Sequence, residues 1–224
     1  MSEEKRIAML LAGSGYLDGS EINEAVMCHL ATKLKGARVD FFSLNEDQSS
    51  CVNHCNEENH ASKRNVLEES ARIVRGAVAP IQELKHENYS GLVIPGGFGV
   101  AKNFCNFAEK GAQAEINIHV ENCIASFISE HKAIMAVCIA PALVGMVAAK
   151  QKIPLMMTLG NASNDASKNL KSLGHSIVDC SAGECVSDPR HPIITTPAFM
   201  HDISIEEAWL GILKATEKFF QAMG

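Results

Sequence analysis

The chain has 224 residues, 46% of them hydrophobic and 21% charged, with 16 glycines, 7 prolines and a formal net charge of -6. That length suits one sizeable α/β domain over residues 1–224, and ordinary apolar content without low-complexity tracts excludes a disordered chain. An acidic balance with no clustered Lys or Arg lacks the electrostatic footprint of a partner that is nucleic acid or an anionic membrane.

Arg6–Leu11 is a short apolar run that stops at the Gly-rich AGSGYLDGS, the pattern of a buried strand and its loop. Glu21–Lys35 follows as a helix, with Ile22, Ala25, Val26, Leu30 and Leu34 as the apolar stripe and Gly36 as the stop. Asp18 with Glu21 resembles a capping box, and Ser20 is the other candidate cap. Val39, Phe41 and Leu44 mark a second strand, and strand–helix–strand is the start of a parallel α/β sheet.

The polar stretch Asn45–Arg64 is long for a structureless loop, so a brief strand is expected at Cys51–His54. Asn65–Val74 reads as a helix with Val66, Leu67, Ala71 and Val74 inward. Gly91–Ile94 reads as a buried strand stopped by Pro95-Gly96-Gly97-Phe98-Gly99. Asn117–Glu130 is a helix whose inward side carries Ile118, Cys123, Ile124, Phe127 and Ile128. The uncharged run Ala133–Ala149 touches the length of a membrane span, but Pro141 and Gly145 within it favour strand, sharp turn and buried helix, with no membrane partner. Leu155–Thr158, a helix over Ala166–Leu173, strands at Ser176–Val178 and Ile193–Thr195, and a helix from Ser204 to Ala222 complete the chain.

In an open α/β sheet, function gathers beyond the carboxyl ends of the strands. Cys138 stands there, in Ala136-Val137-Cys138-Ile139-Ala140. Small residues two positions either side of a nucleophile allow the tight strand-to-helix turn called a nucleophile elbow. A helix N-terminus at that turn favours thiolate over thiol. The backbone N–H groups of Gly97 and Ile139 are candidates for an oxyanion hole. Asp18, Glu21 and Glu24 supply carboxylates, and an acid held against the thiol serves as a proton shuttle.

The strings GSEINEAV, RNVLEESARIVRG, VIPGGFGVAKN, VCIAPAL and TTPAFM, in this order, closely resemble the ElbB-like branch of the ThiJ/PfpI superfamily, also labelled class I glutamine amidotransferase-like and linked by name to isoprenoid biosynthesis. The resemblance spans residues 7–222. It implies a flavodoxin-like sandwich, a mostly parallel sheet with helices on both faces, and Cys138 at the elbow. It also places Glu24 on the superfamily's cysteine-contacting glutamate, with Glu21 as a second acid. The activity it implies is that of a cofactor-independent glyoxalase converting a small reactive aldehyde such as glyoxal to glycolate, in a homodimer.

The residue after Cys138 is Ile139 rather than the His of many superfamily peptidases and amidotransferases, and none of the nine histidines is marked by a motif. A Cys–Glu dyad remains, with a redox sensor or an ammonia-delivering amidotransferase subunit as the competing readings. Cys51-x-x-His54-Cys55-x4-His60 lacks the paired spacing of a zinc site, so no metal is expected. The polar MSEEKR start shows no signal peptide, and eight scattered cysteines fit reduced thiols in a cytoplasmic setting.

Overall fold

A computed structural model describes residues 4–224; the first three residues of the polar start lie outside the described residues. Seven strands form the main sheet: β1 (Arg6–Leu10), β2 (Arg38–Ser43), β5 (Val78–Pro80), β6 (Gly91–Ile94), β7 (Ala133–Val137), β10 (Val186–Ser187) and β11 (Ile193–Thr196). Their order is β10-β11-β7-β6-β1-β2-β5, with every pairing parallel except β10 with β11. From β1 the chain runs outward to β2 and β5, then returns to β6 and builds the other half. The order therefore reverses between β1 and β6, where the carboxyl ends of adjacent strands leave a crevice.

Alternation along β1 divides the core. Ile7, Met9 and Leu11 enter the layer beneath α1 (Ile22–Leu34) and α8 (Ile205–Ala222). Ala8, Leu10 and Ala12 enter the opposite layer, with α2 (Val66–Ile73), α3 (Phe98–Lys102), α4 (Phe107–Lys110), α5 (Ile118–Ser129), α6 (Ala140–Lys150) and α7 (Asp165–Ser172). Strands buried on both faces need continuous apolar runs, which explains RIAML, GLVI and AIMAV. This is the flavodoxin-like α/β arrangement expected from the resemblance. The run Ala133–Ala149 is β7, an elbow and α6, and among the described residues no helix is long and apolar enough to cross a membrane.

α1 departs from expectation. Ile22, Val26, Leu30 and Leu34 point outward, at 46, 50, 50 and 67% exposure, while Glu24, Ala25, Met27, Cys28, Ala31 and Thr32 are buried. Mostly small side chains on the inner face let α1 lie close to the sheet and α8, leaving the bulky ridge outside. The cap differs too. Glu21 is the N-cap and its own carboxylate accepts from the Glu24 N–H at 2.5 Å. Ser20 instead accepts from the Ala12 N–H, and Asp18 is buried against the Val52 N–H.

In α2, Ser70 takes the deepest position beside Val66, because its hydroxyl accepts from the Gly13 N–H and bonds Ser43. In α5, Ile118 is exposed at the first helical turn and Cys123 is half-buried, while Ile124, Phe127 and Ile128 are buried as expected. The brief strand expected at Cys51–His54 is β3 (Val52–Asn53), paired in a hairpin with β4 (Glu58–Asn59). β8 (Met156–Met157) and β9 (Ser176–Ile177) form a separate parallel pair.

Gly91 tests the packing of the central strands. A Cβ there lies 2.6 Å from a Phe219 ring carbon and 3.0 Å from the Ala133 carbonyl oxygen. Gly91→Ala is expected to destabilise the protein by about 1–3 kcal/mol through overpacking, read as a lower urea midpoint with unchanged slope.

Candidate active site

β7 ends at Val137, and Cys138 turns the chain with φ 60° before Ile139 caps α6. Ala136 and Ala140 are fully buried on either side, so the spacing seen in the sequence reflects real crowding. The Cys138 N–H donates to the Thr196 carbonyl at 2.9 Å, which fixes the elbow to β11. The cysteine is 8% exposed and borders a cavity of about 780 Å3.

Glu24 reaches the elbow from the first turn of α1 and is completely buried. Its Oε2 accepts from the Gly96 N–H at 2.9 Å, its Oε1 accepts from the Phe199 N–H at 3.4 Å, and its carboxyl group lies beside the Cys138 thiol. Gly96 makes this meeting sterically feasible. A Cβ there stands 2.4 Å from Cys138 Cβ and 2.6 Å from Glu24 Oε2. Gly97 has φ 98°, and its N–H joins that of Ile139 at the Cys138 sulfur.

Electrostatics set the proton count. Burial first, and the Glu21 carboxylate second, push the Glu24 carboxyl up from 4.5 to about 8. Burial and the neighbouring Glu24 charge hold the Cys138 thiol well above its usual range, against the Gly97 and Ile139 N–H groups that favour thiolate. The expectation of a low-pKa thiolate is thus corrected: desolvation and a like charge outweigh the helix terminus. Two negative charges at this contact are disfavoured, so the singly charged pair shares one proton.

Glu21, Tyr16, Phe98, Phe199, His201 and Asp202 border the same cavity. Glu21 does not join the dyad by hydrogen bond; its carboxylate is occupied by the Glu24 N–H and the Asn23 amide. His201 was not visible as a site residue in the sequence. It follows the TTPAFM string at the carboxyl end of β11, and that placement is the signal available for it. His201 Nε2 lies 2.8 Å from the Cys180 carbonyl, which can only accept, so this nitrogen carries the proton.

The Cys51–His60 segment does not build a metal centre: Cys51 is buried, Cys55 is exposed, and His60 bonds Ser62. His54 instead braces the β1 loop, accepting from the Leu17 N–H at 3.3 Å, with Nε2 3.7 Å from Asp18. Among the described residues no group of three or more His, Cys, Asp or Glu is arranged to hold a metal ion.

No protein-family model matches the chain. The rat protein named "ES1 protein homolog, mitochondrial" is 33% identical over 98% of this chain and 84% of its own length. The human "Glutamine amidotransferase-like class 1 domain-containing protein 3, mitochondrial" matches at the same identity and coverage. The chain belongs to this ES1, or glutamine amidotransferase-like class 1, family. A solved structure from Ehrlichia chaffeensis, described as an isoprenoid biosynthesis protein with an amidotransferase-like domain, superposes with TM-score 0.92 at 34% identity, covering 98% of this chain and 100% of that one. Drosophila melanogaster DJ-1beta shares the fold at TM-score 0.54 and 19% identity, over 97% and 91% of the two chains.

The raised Glu24 pKa has a thermodynamic consequence for this ES1-family protein. Between pH 4.5 and about 8 the folded protein keeps a proton that the unfolded chain gives up, so stability falls as pH rises through that window. Glu24→Gln removes this dependence. The variant is expected to gain on wild type from pH 5 to 8 by on the order of a few kcal/mol, measured by denaturant titration at each pH. A difference that is flat with pH contradicts a raised Glu24 pKa.

Proposed function

We propose that this amidotransferase-like protein is a cofactor-independent glyoxalase-like enzyme in which Cys138 is the nucleophile and Glu24 moves the protons. The observation that carries the reading is the buried thiol–carboxyl contact beside two converging backbone N–H groups. The Cys138 sulfur adds to one carbonyl carbon of glyoxal, and the pair's proton passes to the carbonyl oxygen. The Gly97 and Ile139 N–H groups stabilise the charge on that oxygen. Glu24, now a carboxylate, takes the hydrogen from the carbon bearing sulfur and returns it to the neighbouring carbon. The hydroxyl proton of the first carbon passes to the oxygen of the second, so that the first carbon is oxidised to a thioester while the second is reduced to an alcohol. Water then cleaves the thioester, releasing glycolate and the free thiol.

Two competing readings fit the site less well. A peroxide sensor depends on an exposed thiolate, whereas this thiol is buried and held protonated. A glutaminase dyad depends on His at the sulfur, whereas the groups that act on the Cys138 thiol are Glu24, Gly97 and Ile139, and His201 commits its Nε2 to the Cys180 carbonyl.

Cys138→Ser is expected to abolish glyoxal turnover. Glu24→Gln is expected to lower it by roughly two to four orders of magnitude with the fold intact, and Glu21→Gln to have a smaller effect. Wild-type turnover in Glu24→Gln sinks the dyad. The kcat/KM of the wild type is expected to rise with pH to about 8, as the pair loses its first proton, and to fall at higher pH when the second leaves.

The outward ridge of α1 bears on assembly. We propose that the homodimer forms by two-fold pairing of this ridge, because Ile22, Val26, Leu30 and Leu34 make the i, i+4 row that packs against an identical helix. Sedimentation of Leu30→Glu is expected to give monomer where wild type gives dimer, with unchanged circular dichroism. A monomeric wild type refutes the pairing.

A further inference from the structure

The cavity over Cys138 is far larger than glyoxal, whose reacting unit is two carbons and two oxygens. At about 780 Å3 it falls in the range that encloses a whole drug-sized ligand. Its walls are mostly apolar, with Tyr16, Phe98, Ile139, Phe199, Met200 and Ile203 around the sulfur. Besides Cys138 and the Tyr16 phenol, its ionisable lining consists of Glu21, His201 and Asp202, with no Lys or Arg. Lys102 lies over the Phe98 ring at 5.3 Å and donates to the Leu17 carbonyl, outside the lining. His201 commits its Nε2 proton to the Cys180 carbonyl.

The polar groups thus divide by position. The N–H groups of Gly97 and Ile139 face the sulfur, whereas the carboxylates of Glu21 and Asp202 stand elsewhere on the wall, among the neutral polar groups of Tyr16, Asn23 and Asn164. A carbonyl at the sulfur meets the donors. An anionic group beyond it meets carboxylates with no Lys or Arg in the lining to compensate.

We propose that this pocket takes an α-oxoaldehyde with a bulky apolar body, uncharged or cationic at its far end, and discriminates against anionic carbonyl compounds. The proposal rests on the glyoxalase reading for its chemistry, but size and charge preference are properties of the cavity itself. The reaction is unchanged: the aldehyde carbon is oxidised to the thioester and hydrolysed, while the adjacent ketone carbon is reduced to the secondary alcohol.

Two measurements separate pocket from mechanism. First, kcat/KM is compared for glyoxal, phenylglyoxal, 4-carboxyphenylglyoxal and 4-(dimethylaminomethyl)phenylglyoxal. Phenylglyoxal and the amine are expected to exceed both glyoxal and the carboxylate by about tenfold or more, and Asp202→Lys is expected to narrow the gap between carboxylate and amine. Second, calorimetric Kd values are measured for unreactive ketones: acetone, acetophenone and 4-acetylbenzoate. Acetophenone is expected to bind tightest, in wild type and in Cys138→Ser. If no oxoaldehyde is turned over but the ketone ranking holds, the glyoxalase reading fails and the ligand class stands. If acetone or 4-acetylbenzoate binds as tightly as acetophenone, or if glyoxal or the carboxylate is the best substrate, the proposed ligand class is overturned.

Discussion

The structure turns on one contact, a carboxylic acid and a thiol buried side by side at the point where the sheet reverses its strand order. Neither group reaches water freely, and both resist ionisation. Such a pair is tolerated only if every surrounding donor is placed. The Gly96 and Phe199 N–H groups serve Glu24, and those of Gly97 and Ile139 serve the sulfur. The crevice supplies these donors because the loops after β6 and β7, and the turn after β11, all end there.

That contact dictates sequence at a distance. Gly96 has no room for a side chain between Cys138 and Glu24, and a Cβ at Gly97 falls 2.3 Å from both the Glu21 nitrogen and the Gly19 oxygen. The PGGFG string therefore reflects the close approach of three segments more than the demands of one turn. α1 is governed by the same contact. Its inner face must carry Glu24 together with small residues, so the helix settles against the sheet on Ala25, Cys28 and Ala31 and turns its branched ridge outward.

Desolvation also separates this thiol from a generic reactive cysteine. A helix N-terminus lowers a thiol pKa when the sulfur stays near water. Here burial and the neighbouring carboxyl dominate, and the charge on the sulfur is tied to the proton on Glu24.

The sequence alone determined the layout of elements, because doubly buried strands require unbroken apolar runs and elbows require small neighbours. RIAML, GLVI, AIMAV and the spacing around Cys138 were legible for that reason, and Glu24 became legible through resemblance. The edge strands β5 and β10 were not, since short edges carry no buried run. Helix rotation was not legible either. A ridge of Ile, Val and Leu reads as core until the partner surface is known, and in α1 close approach selected the small face instead. His201, the role of Glu21 as a cap, and the proton held on Glu24 were decided by tertiary structure, because each arises from groups that meet only when distant loops close over the same crevice.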